Sequence, residues 1–382
     1  MPRRRSPDAP AASERPGCPG KTGIAGSSPS SASAPMGQDA SKGGSPQQYA
    51  RGLLDWLQAS KMKTAFLNVF ILYAALPFLI RLFPPLLQKF VYLNFWSFPF
   101  GVDFQKPEVY LNHTANFYLT SEPGITFGFW HALPDNRRKE AEGKERSWYE
   151  EALADDNPII VYLHGNGGTR ATSHRVLFTK VMSDGGFHVL AVDYRGYADS
   201  TGQPSEDGFT TDVLCVYKWV KARSGNSTVI LWGHSLGTGI ATNTARHLQE
   251  KDGVTVDAIV LEAPYTNIRD AAAHIPITKI YRKFPGFESL ILDTMARADM
   301  HFLNDKNVQV LSSPLLILHS EDDGVVPAHL GRKLYEIAQA ASARKEHVQF
   351  MAFPASMGLG HEHIATHPDL PLILKKFLES IK

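Results

Sequence analysis

Cysteine is nearly absent: the 382 residues hold two, Cys18 and Cys215. Two thiols cannot build a disulfide framework, and they lack the paired spacing of a zinc site. An excess of either charge is missing too. Lysine plus arginine (39) balance aspartate plus glutamate (38), and the net charge of +1 leaves no electrostatic footprint for nucleic acid or another polyanion. The fifteen histidines include His361 and His363 around Glu362, with no third ligand spaced to complete a site, so neither a metal nor a cofactor is expected. Aromatics are absent from residues 1–48, which are rich in Ser, Pro, Gly and Ala and open on Arg3, Arg4 and Arg5. Such a stretch buries too little apolar surface to offset the entropy of ordering, and a disordered tail is expected. The length allows two average domains or one large α/β domain with extra segments; the composition favours the second.

What is present begins with an uncharged run. Residues 64–80, "TAFLNVFILYAALPFLI", carry no charge, and an apolar, aromatic stretch, "LFPPLLQKFVYLNFWSFPF", follows Arg81. Seventeen residues stand at the short end for crossing a bilayer, and proline is tolerated in such helices. The expectation is a single-pass signal anchor over residues 60–82, too far from Met1 to be a cleaved signal, with a juxtamembrane apolar segment at 83–106. An interfacial or buried helix is the alternative. Arg51, Lys61 and Lys63 before the run outnumber Arg81 and Lys89 after it, which favours a cytosolic N-terminal side. Two sequons, at Asn112 and Asn226, then fall on the far side and are glycosylation candidates if that side is lumenal.

From Asn116 onward short β-branched runs alternate with amphipathic stretches. "NFYLT" and "ITFGFWHAL" read as strands, and "IIVYLHG", "HVLAVDYRG", "STVILWGHS", "VDAIVLEAP" and "SPLLILHSEDD" are nearly continuous apolar runs. Strands buried on both faces have this character, and helices between them imply right-handed βαβ units. Helices are expected at 171–184, 207–223, 236–250, 329–342 and 369–380. The fold class is therefore α/β, a mostly parallel central sheet flanked by helices, spanning 107–382. Ligands of such sheets bind beyond the carboxyl ends of the strands.

One such end carries "GHSLG", Gly233 to Gly237. A strand before it, a helix of small residues after it, and glycines on both sides of Ser235 together describe a nucleophile elbow, the sharp turn that exposes a strained serine. A serine hydroxyl needs an aligned base, itself oriented by a carboxylate, and elbow enzymes supply these in the order Ser, acid, His. The strand "PLLILH" ends in Glu321, Asp322 and Asp323. Asp323 is chosen because it stands just before the turn at Gly324; Asp322 is the alternative. After "HVQFMAF" come His361, His363 and His367, of which His361 directly follows Gly358 and Gly360 and has room to bend inward. The other two are expected on the solvated start of the last helix. An oxyanion needs two backbone N–H donors. Leu236, after the nucleophile, and Asn166, in the loop His164 to Gly168, are the candidates. His164 is expected to be structural, and Asp193 and Arg195 to brace the site.

The strings "NPIIVYLHGN", "SHRV", "VDYRG", "KARSG", "WGHSLGTGIATN", "VLEAPYTNIRDAA", "IYRKFPGF", "PLLILHSEDDGVVP" and "GRKLYEIA" carry a resemblance from about residue 107 to the C-terminus. The chain resembles the α/β-hydrolase fold serine hydrolases, and within them the membrane-anchored α/β-hydrolase domain-containing protein 12 group. "SDGGFHVL" and "VDAIVLEAP" lean toward its B paralogue, while "GLGHEH" departs from the group's more aromatic and basic loop. The resemblance implies a single-pass protein of the endoplasmic reticulum membrane with a lumenal catalytic domain. It further implies a lysophospholipase, notably on lysophosphatidylserine, and a monoacylglycerol lipase. Its nucleophile, acid and base fall on Ser235, Asp323 and His361.

A segment at about 265–311 is longer than a crossover requires and is expected to form a cap. Ile275, Ile277, Ile280, Tyr281, Phe284, Phe287, Leu290 and Ile291 are its candidates for lining an acyl channel, with helix packing as the alternative. Arg282 and Lys283 are either an anionic headgroup site or a solvated face. The reading is a membrane-bound serine hydrolase cleaving esters of single-chain lipids through an acyl-enzyme. The competing readings are an inactive hydrolase-fold module that binds lipid or protein, and a peptidase on the same fold.

Overall fold

The computed structural model describes residues 46–382. Most of the expected tail, with Cys18 and the three arginines, lies outside the described residues. Helix α1, Pro46–Leu82, takes in the last three tail positions and the whole uncharged run, and it is long and apolar enough to cross a membrane. Its residues up to Phe66 form one compact unit by themselves, with apolar side chains such as Leu53, Trp56 and Phe66 exposed. Leu67–Lys382 forms the other.

Within that second unit eight strands make one sheet in the order β1-β2-β4-β3-β5-β6-β7-β8. β1 (Thr114–Glu122) and β2 (Ile125–Ala132) form a hairpin that pairs antiparallel with β4 (His188–Asp193). From β4 through β3 (Ile159–Leu163), β5 (Val229–His234), β6 (Ala258–Glu262), β7 (Leu315–Ser320) and β8 (Val348–Phe353) every pairing is parallel. β3 to β7 are buried along their whole length, which is why their sequences run apolar without alternation.

The strand pleat sorts these side chains onto two cores. Ile159, Val161, Leu163, Leu231 and Leu261 meet α5 (Glu206–Lys221) and α6 (Leu236–His247) through Phe209, Val213 and Ile240. Ile160, Tyr162, Trp232 and Val260 face α4 (Ser173–Asp184) and α11 (Leu370–Ser380) through Phe178, Met182, Leu374 and Phe377. The helix starts follow local chemistry. Ser205 caps α5 by accepting from the Gly208 amide, with Glu206 and Asp207 in the first turn and Lys218 and Lys221 in the last, matching the helix dipole. The last helix begins at Leu370, so His363 and His367 are not on it, contrary to expectation; Pro368 keeps His367 in extended backbone, and Pro371 sits in the first turn, where its missing N–H costs nothing.

The remaining helices are α2 (Pro84–Tyr92), α3 (Arg146–Glu151), α7 (Ile268–His274), α8 (Asp293–Arg297), α9 (Asn304–Asn307) and α10 (Ala328–Ala341). α7, α8 and α9 fall in the segment expected to be a cap. α2 docks on it through Gln88, which donates to the Ala298 carbonyl at 2.9 Å. Tyr281 stacks on Tyr73 of α1 with ring centres 4.7 Å apart, and Phe284 meets the same ring edge-on at 5.7 Å.

Arg170 anchors the hairpin side of the sheet. It is 1% exposed and donates to Asp193, Asp199 and Asn116, beneath the rings of Phe104 and Trp130. Asp193 is itself fully buried, so its charge depends on that guanidinium. Arg170→Ala is expected to destabilise the fold by about 3–5 kcal/mol, read as a lower urea midpoint of the detergent-solubilised protein. Arg170→Lys should recover less than half of the loss, because one ammonium nitrogen cannot reach acceptors set around two separate guanidinium nitrogens.

Candidate active site

Ser235 occupies the turn between β5 and α6 with φ 52° and ψ −117°, a conformation that costs a side-chain-bearing residue energy. The surrounding glycines permit it. A Cβ at Gly237 would fall onto the Leu163 carbonyl, and one at Gly233 onto the Gly237 carbonyl. The two glycines therefore let the start of α6 close down on β3 and β5, and the Ser235 amide is held by the Glu262 carbonyl at 2.9 Å.

The three sequence-chosen residues come together here. Ser235 Oγ lies 2.9 Å from His361 Nε2, and His361 Nδ1 lies 2.7 Å from Asp323 Oδ2. A carboxylate only accepts, so Nδ1 carries the proton and the Nε2 lone pair faces the serine hydroxyl. Asp323 Oδ1 accepts from the amides of Val325 and Val326, each at 2.8 Å, and His319 Nε2 stands 3.3 Å from Oδ2. Burial opposes its ionisation, but the hydrogen bonds from His319 and His361 outweigh it and hold Asp323 well below the usual carboxylate range. Asp322, the alternative acid, instead accepts from the Gly360 amide at 3.0 Å and from Ser320, which ties down the loop carrying His361. Gly358 and Gly360 have φ of 64° and 55°, the bends that bring His361 inward. His363 and His367 stay outside the triad; His367 packs its ring 5.1 Å from that of Phe353.

The loop after β3 carries Asn166 to the same cleft as Ser235 and Leu236. Leu236 opens α6, so its amide has no intrahelical acceptor. The residues flanking Asn166 are fastened firmly. Arg175 donates to the Gly167 carbonyl at 2.8 Å, and the amides of Gly167 and Gly168 donate to the carbonyls of Tyr92 and Trp96 at 3.0 and 3.2 Å. His164 is structural: Nδ1 donates to the Gly165 carbonyl at 2.6 Å and Nε2 lies 3.2 Å from Asp193. Arg195 braces the neighbouring loop by a forked contact with Asp212.

The apolar side of the cleft corrects the expected acyl lining. Of the eight cap candidates Ile275 lines it, joined by Ile268, Ala271 and Ala272 of α7, Met295 of α8, and Phe90 and Val91 of α2. Tyr281 and Phe284 pack on α1 instead, Phe287 and Ile291 are buried in the core with Leu290 partly buried against it, and Ile280 is exposed; the Ile277 side chain lies outside the described residues. Amphipathic spacing marks these side chains as apolar without saying whether a helix or a substrate covers them. Arg282 and Lys283 are exposed outside the cleft, Arg282 donating to the His274 carbonyl.

Two site residues escaped the sequence reading. His234 Nε2 donates to the His361 carbonyl at 2.9 Å, so the second residue of "GHSLG" helps to hold His361 in place. Burial keeps His234 neutral, its pKa far below the ordinary value. Glu262, at the end of β6, is fully enclosed, its side chain bonded to Trp232 Nε1 at 2.8 Å. Burial pushes its carboxyl up to about 7 against the partial relief of that bond. A terminal Glu on an apolar strand was the available signal.

The sign for Glu262 is that of an acid whose folded pKa is raised: the native state holds its proton longer than the unfolded chain. Stability is therefore full below the unfolded value of 4.5 and declines as pH rises toward about 7. Glu262→Gln should flatten the fall in melting temperature between pH 5 and pH 8, measured by differential scanning fluorimetry in one buffer series. An unchanged slope would remove Glu262 as its source.

Comparison with known proteins fits this geometry. Residues 158–287 match the alpha/beta hydrolase fold family. The human "Protein ABHD12B" is 54% identical over 298 residues, covering 78% of this chain and 82% of that protein. The rat "Lysophosphatidylserine lipase ABHD12" is 48% identical over 341 residues, covering 89% and 85%. Among solved structures, an alpha-beta hydrolase from Vibrio vulnificus superposes with a TM-score of 0.55 at 19% identity, covering 79% of this chain and 92% of that one, a likeness of fold. The chain belongs to the α/β-hydrolase family, in the group that contains ABHD12 and ABHD12B.

Proposed function

We propose that the protein is a membrane-anchored serine hydrolase that cleaves the carboxylic ester of single-chain lipids, with Ser235 as nucleophile, His361 as base and Asp323 as the acid that orients it. The observation that carries the reading is the unbroken relay from Ser235 Oγ through both ring nitrogens of His361 to a carboxylate saturated with donors.

In this mechanism Oγ attacks the ester carbonyl carbon as its proton passes to His361 Nε2, and Asp323 stabilises the imidazolium. The oxyanion accepts from the Leu236 and Asn166 amides. Collapse expels the glycerol oxygen, which takes the proton back from Nε2, and leaves an acyl-Ser235. A water that gives its proton to Nε2 then attacks the acyl carbon, and collapse breaks the acyl–Oγ bond, returns that proton from Nε2 to Ser235 Oγ and releases the fatty acid. Phe90, Ile268, Ile275 and Met295 offer the acyl chain an apolar wall. The relatives named lysophosphatidylserine lipase support lysophosphatidylserine as the first substrate to test, with monoacylglycerol second.

The topology follows from α1 as a single span with its basic flank cytosolic and the catalytic domain in the lumen of the endoplasmic reticulum. Asn112 and Asn226 are both exposed, which suits glycan attachment on that side. Endoglycosidase H should then sharpen the mobility of the wild type and leave Asn112→Gln/Asn226→Gln unchanged.

Ser235→Ala is expected to abolish fluorophosphonate labelling and fatty-acid release from lysophosphatidylserine and monoacylglycerol in membranes of expressing cells. Asp323→Asn should lower kcat about ten-thousandfold with KM little changed. Release equal to wild type from Ser235→Ala would overturn the assignment and bring a binding module or another substrate forward.

A further inference from the structure

The 18 positions 83–100 between α1 and the rest of the domain hold one charged side chain, Lys89, and six aromatics that reach solvent: Phe83, Phe90, Phe95, Trp96, Phe98 and Phe100. Phe95 is 63% exposed, Trp96 57% and Phe100 71%. The exposure is not that of a loose segment. Its inward side is built into the fold: Leu87 and Tyr92 are buried, the Tyr92 and Trp96 carbonyls accept from Gly167 and Gly168, and Thr172 Oγ1 donates to the Phe98 carbonyl at 3.0 Å. The outward rings gather on one another, Trp96 and Phe98 each about 6 Å from Phe100.

An ordered aromatic patch facing water is costly for a soluble surface, whereas Trp and Phe with few charges suit the headgroup boundary of a bilayer. The patch continues from Phe78, Leu79 and Leu82, exposed in the last turns of α1, and Phe90 both reaches solvent and lines the cleft that holds Ser235. We propose that residues 83–100 form an interfacial foot. The rings of Phe95, Trp96, Phe98 and Phe100 rest in the headgroup layer of the membrane that α1 spans. The cleft then opens beside Phe90 onto lipid, and an acyl chain enters without crossing water. The proposal rests on the reading of α1 as an anchor and of the cleft as a lipid-ester site.

The experiment uses the full chain in phosphatidylcholine vesicles. Tryptophan quenching by phosphatidylcholine brominated near the headgroup is compared between wild type and Trp96→Phe, alongside flotation of the vesicles in carbonate. Loss of a blue-shifted, quenchable component in Trp96→Phe is the expected result. Identical quenching in both proteins, with both retained on the vesicles, would overturn the foot and leave the anchor standing. Release from the vesicles in carbonate would overturn the anchor and the foot together. Blue-shifted Trp96 emission that bromolipid does not quench would assign the patch to a second copy of the chain and also overturn the proposal. Phe95→Ser/Phe100→Ser supplies a functional readout. Hydrolysis of long-chain monoacylglycerol held in vesicles should fall about tenfold, while a short-chain p-nitrophenyl ester in solution is cleaved at the wild-type rate. Equal rates on both substrates, or a parallel fall in both, would overturn the role in access. Wild-type inactivity on all esters would defeat the lipase reading while the quenching still decides the foot.

Discussion

The close approach of Gly237 to the Leu163 carbonyl is the contact from which the site is built. It lets α6 begin against the ends of β3 and β5, which forces Ser235 into left-handed backbone and lifts its hydroxyl clear of the sheet. The same approach places the first amide of α6 beside the loop after β3, so Ser235, Leu236 and Asn166 border one cleft. The strain at Ser235 is offset by bonds on both sides: its amide to the Glu262 carbonyl, and its own carbonyl to the amide and hydroxyl of Thr238.

Two buried carboxylates close to that turn illustrate how surroundings divide similar groups. Asp323 meets two amides and two imidazoles and stays ionised; Glu262 has a single indole donor and is pushed toward neutrality. Desolvation is the same physics in both, and the number of donors decides the outcome. A negative charge is thus held beside His361, while the carboxyl of Glu262, whose backbone carbonyl holds the Ser235 amide, is pushed up to about 7.

The strands were legible because β3 to β7, buried on both faces, must be apolar throughout, and the elbow because its glycines have no substitute. Asp323 and His361 were legible from loop position and from the glycines around them. Position in sequence could not reveal contacts that depend on distant packing. His234 holds His361 through a carbonyl 127 residues away, and Phe90 and Val91 line a cleft whose other wall comes from α7 and α8. Tyr281 and Phe284 looked like channel residues because apolarity marks burial without naming the partner.

The bonds from Gly167 and Gly168 to the carbonyls of Tyr92 and Trp96 bear on where this enzyme begins. A fragment starting at residue 107 would contain every residue of the relay and all eight strands. It would nevertheless leave two amides beside Asn166 without acceptors and the cleft without its Phe90 wall. The segment next to α1 therefore serves as scaffold for the loop that carries Asn166, and shortening the protein to its hydrolase homology would remove the carbonyls that fasten that loop beside Ser235. The cleft and the loop at its edge thus take their shape from residues that precede the strands.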